Sequence, residues 1–224
     1  MTIIAQATSS VVHDYDWLKS TVADWLHRTD LTSQIVDFIG LAEDELNTEM
    51  RLRLMEVDET LSLDAGARTV ALPDGFLEPV KLELVYGDGS DNQELVYLTS
   101  KQFVRSAATM TAVEPRYWMI NGANIEFPEP SDQTYTLVFR MLKKLDIAET
   151  ETNALLDAYK GLYLYGALLQ ATPYMRDDPR IATWQLMYDR LKAKVMKKEA
   201  RSKALSILLT DTPGRPYHSN IFRG

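Results

Sequence analysis

Hydrophobic periodicity changes twice along this 224-residue chain, and those two changes limit the folds that it can adopt. Over residues 14–56 the apolar residues recur every three or four positions, as on an amphipathic helix. Over residues 58–145 they alternate with polar residues, as in β-strands, and over 146–209 the helical spacing returns. Because each helical part has an apolar stripe to bury, we expect the two parts to pack together as a bundle.

The predicted fold class is therefore α+β, with a helical bundle from both chain ends, an inserted β-rich region and an extended C-terminal arm. A chain of this length can bury a sizeable core. The expected division is into N-terminal bundle helices (1–57), the β-rich region (58–145), C-terminal bundle helices (146–209) and the arm (210–224).

The N-terminal part predicts two helices. The first covers residues 14–28 and can be capped by Asp14 or Asp16. The second is a long helix over residues 34–56. Its predicted apolar stripe consists of Ile35, Phe38, Ile39, Leu41, Leu46, Met50 and Leu54.

The C-terminal part predicts one helix over residues 154–171 and a long one over 178–209, with Asp178 as its cap and Pro179 as its first residue. The first of these is apolar on all sides, which is typical of a central core helix. The alternative is a binding module with a ligand pocket at Tyr163 and Tyr165.

The β-rich region carries one strong local signal, Asn121 followed by Gly122 between two strand-like arms. This pair predicts a hairpin with a type I′ turn, in which both residues take positive φ. Residues 87–94 predict a polar hairpin turn, residues 100–108 a short helix between strands, and residues 135–141 a strand.

Composition excludes several kinds of chemistry. The chain has no cysteine, so it has no disulfide, thiolate metal site or cysteine nucleophile. His13, His27 and His218 lie far apart in sequence and lack metal-ligand spacing. The N-terminus does not resemble a signal peptide, and no apolar run is long enough for a membrane span. We predict no catalytic set, cofactor or metal.

Acidic residues on the second helix offer one enzymatic alternative. Glu43, Glu45 and Glu49 could supply the paired carboxylates of a peptidoglycan hydrolase. Neighbouring acids on a helix more often form a solvated face, here with Arg51 and Arg53 close enough to offset them. We therefore interpret these acids as surface residues.

Charge is distributed unevenly along the chain. The net charge is −8, yet residues 189–203 carry a local charge of +5. This segment can be a solvated helix end, a docking face for an acidic partner subunit or, least favoured in so acidic a chain, a DNA contact. The candidate docking residues are Arg190, Lys194, Lys197, Lys198 and Arg201.

The last residues combine a structure-breaking composition with large apolar side chains. The stretch "PGRPYHSNIFRG" has no periodicity, yet it holds three apolar anchors between two arginines. Segments that become ordered on binding use such anchors. The predicted partner-binding residues are Arg215, Tyr217, Ile221, Phe222 and Arg223.

The succession of segments resembles a known family. "DWLHRTDLTSQIVDFIGLAEDELNTEMRLRLME" leads into "ALPDGFLEPVKLEL", "PRYWMINGANIEFPEP", "YTLVFRMLKKL" and finally "LYLYGALLQATPYMRDDPRIATWQLMYDRL". Over residues 15–200 this order resembles the head-to-tail adaptor (connector) proteins of tailed bacteriophages, particularly those with short tails. "LYLYGALLQATPYMRDDPR" is the most distinctive part.

The resemblance implies a structural virion protein made in the host cytoplasm and placed at the portal vertex between head and tail. Such proteins form a ring, commonly of twelve copies, beneath the portal protein. The ring extends the channel through which packaged DNA passes without specific binding, and it offers a platform to a nozzle or tail-hub protein. The resemblance also implies that the C-terminal arm reaches along the portal. A neck or completion protein of a long-tailed phage is the alternative that differs in its lower partner.

Overall fold

The computed structural model describes residues 13–87, 91–106, 111–175 and 178–210. Six α-helices and seven strands form within these ranges. The helices are α1 (Tyr15–Leu26), α2 (Thr32–Glu49), α3 (Ser100–Ser106), α4 (Ile147–Thr150), α5 (Ala154–Gln170) and α6 (Arg180–Thr210). The strands are β1 (Glu56–Leu63), β2 (Thr69–Ala71), β3 (Phe76–Val85), β4 (Gln93–Tyr97), β5 (Tyr117–Asn121), β6 (Asn124–Glu126) and β7 (Tyr135–Lys143).

Helices from both ends of the chain form one body, as predicted. Helix α5 lies at its centre and packs against α1, α2 and α6. The shared core is apolar, and its fully buried members include Leu18, Val22, Leu46, Leu155, Leu162 and Leu168. The predicted arm lies outside the described residues. No helix in the described ranges combines the length and the apolar character that a bilayer crossing requires.

Asp14 caps α1 as expected, since its carboxylate accepts a hydrogen bond from Trp17 N–H at 2.8 Å. The second helix is shorter than predicted. Helix α2 ends at Glu49, and Met50 has an extended backbone (ψ 136°). The apolar pattern of the sequence runs past the end of α2. Leu52 is buried and contributes to the core, although its backbone is not helical.

Two residues placed in the apolar stripe of α2 are exposed instead. Leu41 is 53% exposed and Leu54 is 44% exposed. The buried face follows Ile35 at strict i+3, i+4 and i+7 spacing, and Leu41 lies off that stripe.

The helix over residues 154–171 is interrupted. Tyr159 has non-helical angles (φ −144°, ψ 48°), so α5 has a break within its first two turns. Its predicted core role is confirmed at Tyr163, which is fully buried, whereas Tyr165 is only partly buried and meets the Trp25 ring edge-on. The cap of α6 is also confirmed, because Asp178 accepts a hydrogen bond from Arg180 N–H at 2.9 Å.

The seven strands form one nearly closed sheet in the order β1-β7-β3-β4-β5-β6-β2. Its two end strands, β1 and β2, are also in contact. All neighbours run antiparallel except β4 and β5, which are parallel and are joined through α3. Inward-facing residues of β7 are buried as the alternation predicted, and they are Tyr135, Leu137, Phe139 and Met141.

The predicted hairpin exists, but its turn type was wrong. Asn121 pairs with Asn124, so the two central turn residues are Gly122 and Ala123. Of the residues at this turn, only Gly122 has positive φ (59°). Positive φ at the first central position alone is typical of type II′, which favours glycine there.

Two glycines of the helical body differ in what surrounds them, and this difference generates a prediction. A Cβ on Gly166 of α5 would lie 3.1 Å from the Cβ of Ala42, whereas a Cβ on Gly40 of α2 would meet nothing within 4 Å. Alanine at an open helical position gains up to about 1 kcal/mol over glycine. We expect Gly40→Ala to show that gain in urea unfolding.

The Gly166→Ala variant should instead have a free energy of unfolding at least about 1 kcal/mol lower than that of the Gly40→Ala variant. The reason is that overpacking between α5 and α2 offsets the gain in helix propensity. Equal stabilisation by both substitutions would show that α2 and α5 are not packed this closely.

Candidate functional site

A buried carboxylate joins α2 to the segment between the sheet and α4. Glu43 is only 6% exposed. Its Oε1 accepts hydrogen bonds from the Tyr163 hydroxyl (2.7 Å) and from Ile147 N–H (3.0 Å), and its Oε2 lies 3.1 Å from the same N–H. Asn153 Nδ2 donates to the Tyr163 hydroxyl at 2.7 Å. Glu43 is thus a satisfied structural acceptor in the core.

Asn47 makes a second connection one turn further along α2. Its Nδ2 donates to the Leu145 carbonyl at 3.0 Å, and Leu145 N–H donates to its Oδ1 at 2.8 Å. This paired contact satisfies both backbone groups of a residue that has left the sheet. Together, Glu43 and Asn47 bind the chain where it re-enters the helical body.

The predicted solvated acidic face was therefore wrong for Glu43. Burial raises the pKa of its carboxyl, and the hydrogen bonds from Tyr163 and Ile147 only partly oppose this effect. Arg51 was expected to offset the acids of α2, but the structure gives it other partners. It pairs with Glu78 of β3 at 2.6 Å and donates to backbone carbonyls at the end of α2.

The three acids of the hydrolase alternative do not converge. Glu43 and Glu45 lie about 160° apart around α2. Glu45 accepts a hydrogen bond from Gln170 of α5, and Glu49 pairs with Lys192 of α6. Each acid thus contacts a different partner within the helical body, an arrangement that gives no support to paired acid and nucleophile roles.

Several contacts hold α6 against the rest of the helical body. Trp184, Tyr188 and Val195 are buried along its inner side. Polar contacts fix it at three levels, namely Arg180 Nη1 to the Trp25 carbonyl, Lys192 to the Glu49 carboxylate, and Arg53 N–H to Glu199 Oε1.

Four of the five candidate docking cations form a line on the outer side of α6. Their spacing of i, i+4, i+7 and i+11 places them within about 60° around the helix. All four are exposed, and none has an ion pair or hydrogen bond with any residue that the structure describes. We call them the cationic stripe, which consists of Arg190, Lys194, Lys197 and Arg201.

The fifth cation, Lys198, is separate from the stripe. Its Nζ lies 5.4 Å from the centre of the Tyr159 ring. It lines a cleft of about 530 Å³ between the helical body and strands β1 and β7, together with Leu54, Arg140 and Glu199.

A second surface was missed by the sequence analysis. On the outer side of α2, next to the start of α1 and to α4, there is a depression of about 500 Å³. We call it the acidic groove, which includes Tyr15, Val36, Asp37, Gly40, Leu41, Asp44 and Ala148. The position of Leu41 off the buried stripe was the sequence signal that could have indicated it.

The remaining candidates are placed as follows. The predicted arm residues Arg215, Tyr217, Ile221, Phe222 and Arg223 lie outside the described residues, as does His218. The Nε2 of His13 lies 2.9 Å from Lys160 Nζ, and His27 ends α1 with φ 54°. No group of three potential metal-ligating side chains occurs within the described ranges.

The raised pKa of Glu43 predicts a pH-dependent stability difference. The folded state binds the Glu43 proton more tightly than the unfolded state, so this contribution is complete at low pH. It is lost as pH rises above the ordinary glutamate pKa of 4.5. We therefore expect the stability advantage of the wild type over Glu43→Gln, measured as the difference between their free energies of unfolding in urea, to decrease as the pH is raised from 4 to 8.

Asp37→Asn is the matched control, since it makes the same charge change at an exposed position on the same helix. A Glu43→Gln difference that follows the Asp37→Asn difference at every pH, or that rises with pH, would contradict the buried position of Glu43.

Comparison with known proteins now identifies the family. No curated protein matches the chain. The family model described as SU10 adaptor protein matches residues 14–215, which include all six helices and all seven strands. This match confirms the resemblance to head-to-tail adaptors and suggests a structural, non-enzymatic protein. The chain belongs to the SU10 adaptor protein family and has the role of a phage head-to-tail adaptor in the virion.

Proposed function

We propose that this adaptor binds the portal protein with its C-terminal arm, forms a ring that extends the DNA channel, and presents a platform to the next tail component. The observation that carries the proposal is the family match over residues 14–215. The ring, commonly of twelve copies in proteins of this kind, and the nozzle or tail-hub partner are parts of the same proposal.

The placement of α6 supports an arm that continues from a helix held against the rest of the chain. This helix is 31 residues long, or about 46 Å, and its polar contacts to the helical body are spread from Arg180 to Glu199. Residues 211–224 follow directly. A partner that binds the anchors of this segment is thereby attached to a helix that the rest of the chain holds in place between Arg180 and Glu199.

The composition of the arm supports a role in binding. Tyr217, Ile221 and Phe222 supply apolar contact area, and Arg215 and Arg223 supply charges that can pair with acidic groups. A segment of this kind gives up conformational entropy when it is bound, and its apolar anchors offset that cost. The portal is the partner that we propose for it.

The charge of the chain suits a channel for DNA. A net charge of −8 disfavours tight, nonspecific contact with phosphates, which needs clustered lysine and arginine. DNA could then pass the ring without being retained. The exception is the cationic stripe, for which a protein partner is proposed in the next subsection.

Deletion of residues 211–224 tests the arm. We expect the truncated chain to unfold at the same urea concentration as the full chain, since the core residues that the structure describes already make up a helical core and a sheet core before residue 211. Binding to the cognate portal, measured by co-sedimentation, should be lost.

Point variants refine this test. The triple variant Tyr217→Ala, Ile221→Ala and Phe222→Ala should weaken portal binding at least about tenfold, because it removes three apolar anchors at roughly 1.5–3 kcal/mol each. Ser219→Ala, in the same segment, is the control. Unchanged portal binding by the truncated chain would contradict the proposal.

A further inference from the structure

We propose that the cationic stripe of one copy of this chain binds the acidic groove of a second copy. The inference rests on the proposed ring, and it names the surfaces by which neighbouring subunits join.

The stripe offers both charge and an apolar contact. Its four cations have no partner among the residues that the structure describes, although ion pairs do form elsewhere on the surface. Leu186 lies one turn before Arg190 on the same side of α6 and is 64% exposed, the highest value among the large apolar residues whose burial the structure describes. From Leu186 to Arg201 this surface is about 22 Å long.

The groove offers the complementary features. Val36 and Leu41 are 42% and 53% exposed and provide apolar surface, and Gly40 between them has open space in place of a side chain. Asp37 and Asp44 line the same depression. Of these two acids, Asp44 forms an ion pair with Lys144, with Oδ1 3.6 Å from Nζ. Asp37 has no ion pair within the described part of the chain.

More carboxylates surround the groove. A smaller depression shares Tyr15 and Ala148 with it and is lined by Asp14, Asp16 and Glu151. Lys19 is the cation in that depression, and it pairs with Asp16 at 2.7 Å. The surroundings therefore keep an excess of negative charge, which complements four cations that have no partner in the described part of the chain.

The stripe and the groove of one chain cannot bind each other. Trp184, Tyr188 and Val195 fix the inner side of α6 against the helical body, and the stripe faces away from them. The contact must therefore form between copies. It is heterologous, because it uses different surfaces on the two subunits, and each added copy leaves one stripe and one groove free. Contacts of this type generate rings when the rotation closes.

Nucleic acid is a less suitable occupant of the stripe. The four cations belong to a segment of local charge +5 in a chain whose other residues sum to −13, so the surroundings repel phosphate. An acidic groove that also carries Val36 and Leu41 matches Leu186 as well as the cations, whereas a phosphate backbone would leave Leu186 without an apolar contact.

Engineered disulfides test the contact directly, because the chain has no cysteine of its own. Leu186→Cys mixed with Leu41→Cys, at high protein concentration under oxidising conditions, should give a disulfide-linked heterodimer. Val96→Cys is the matched control for Leu41→Cys, since Val96 is equally exposed (55%) but lies on β4. We expect at least about tenfold more product with Leu41→Cys.

Charge reversal then tests the ionic part of the contact. Lys194→Glu with Lys197→Glu in the Leu186→Cys chain should lower the yield about tenfold, because like charges would face each other. Asp37→Lys with Asp44→Lys in the Leu41→Cys chain should restore it. All four positions are exposed, and equal urea unfolding midpoints would show that the variants fold.

Several results would overturn the inference. They are a heterodimer yield no higher than with Val96→Cys, a yield unaffected by charge reversal, and a stripe variant that loses DNA binding in a gel-shift assay while its cross-linking is unchanged. These experiments use this chain alone. If cross-linking fails while portal binding is normal, only the contact between stripe and groove is contradicted. If the proposed adaptor role is wrong, the chain will be absent from the virion vertex.

Discussion

The structure depends on the contact between α2 and the chain segment that returns from the sheet. Helix α2 ends at Glu49 and the chain returns to this helix at Leu145, with the whole sheet between these points. Glu43 and Asn47 bind the returning backbone at Ile147 and Leu145. Buried backbone groups must find hydrogen-bond partners, so these two side chains determine where the C-terminal helices begin.

That contact has consequences for the rest of the helical body. Ile147 begins α4, and Asn153 follows it to cap α5 and to bind the Tyr163 hydroxyl. Helix α5 is therefore set against α2 at both its start and its centre, close enough that Gly166 leaves no free space beside Ala42. Helix α6 packs on α5 in turn.

A part that works by being held between neighbours needs surfaces with fixed relative positions. The ion pair of Lys192 with Glu49 and the packing of Tyr188 fix α6, so its outer cations are presented in one orientation. The acidic groove is formed by α1, α2 and α4. The Glu43 contact joins α2 to α4, and Tyr15 N–H of α1 donates to the carbonyl of Glu151, at the end of α4, at 2.8 Å. A rigid body with two unlike surfaces is suited to repeated assembly without any chemical step.

Sequence patterns predicted every described helix except the four-residue α4, and they predicted strand β7, because burial imposes a period on apolar residues. The patterns did not predict the end of α2, since Leu52 continues the apolar spacing after the backbone has become extended. The turn type depended on strand register, which pairs Asn121 with Asn124 and so leaves Gly122 and Ala123 as the two central turn residues. Glu43 was assigned to solvent because its partners, Ile147 and Tyr163, are more than 100 residues away in sequence.

The candidate site was predicted less completely than the fold. Helical spacing and charge identified Arg190, Lys194, Lys197 and Arg201, but the tertiary contact of Lys198 with Tyr159 could not be foreseen. The groove joins three separate helices, so no local pattern describes it. The arm residues stay a prediction.

The most direct measurement for the central claim is an electron cryomicroscopy reconstruction of purified virions at the portal vertex. The account predicts a ring of density between portal and tail into which this helical body and its sheet fit, copy beside copy. A vertex from which the chain is absent would contradict the account.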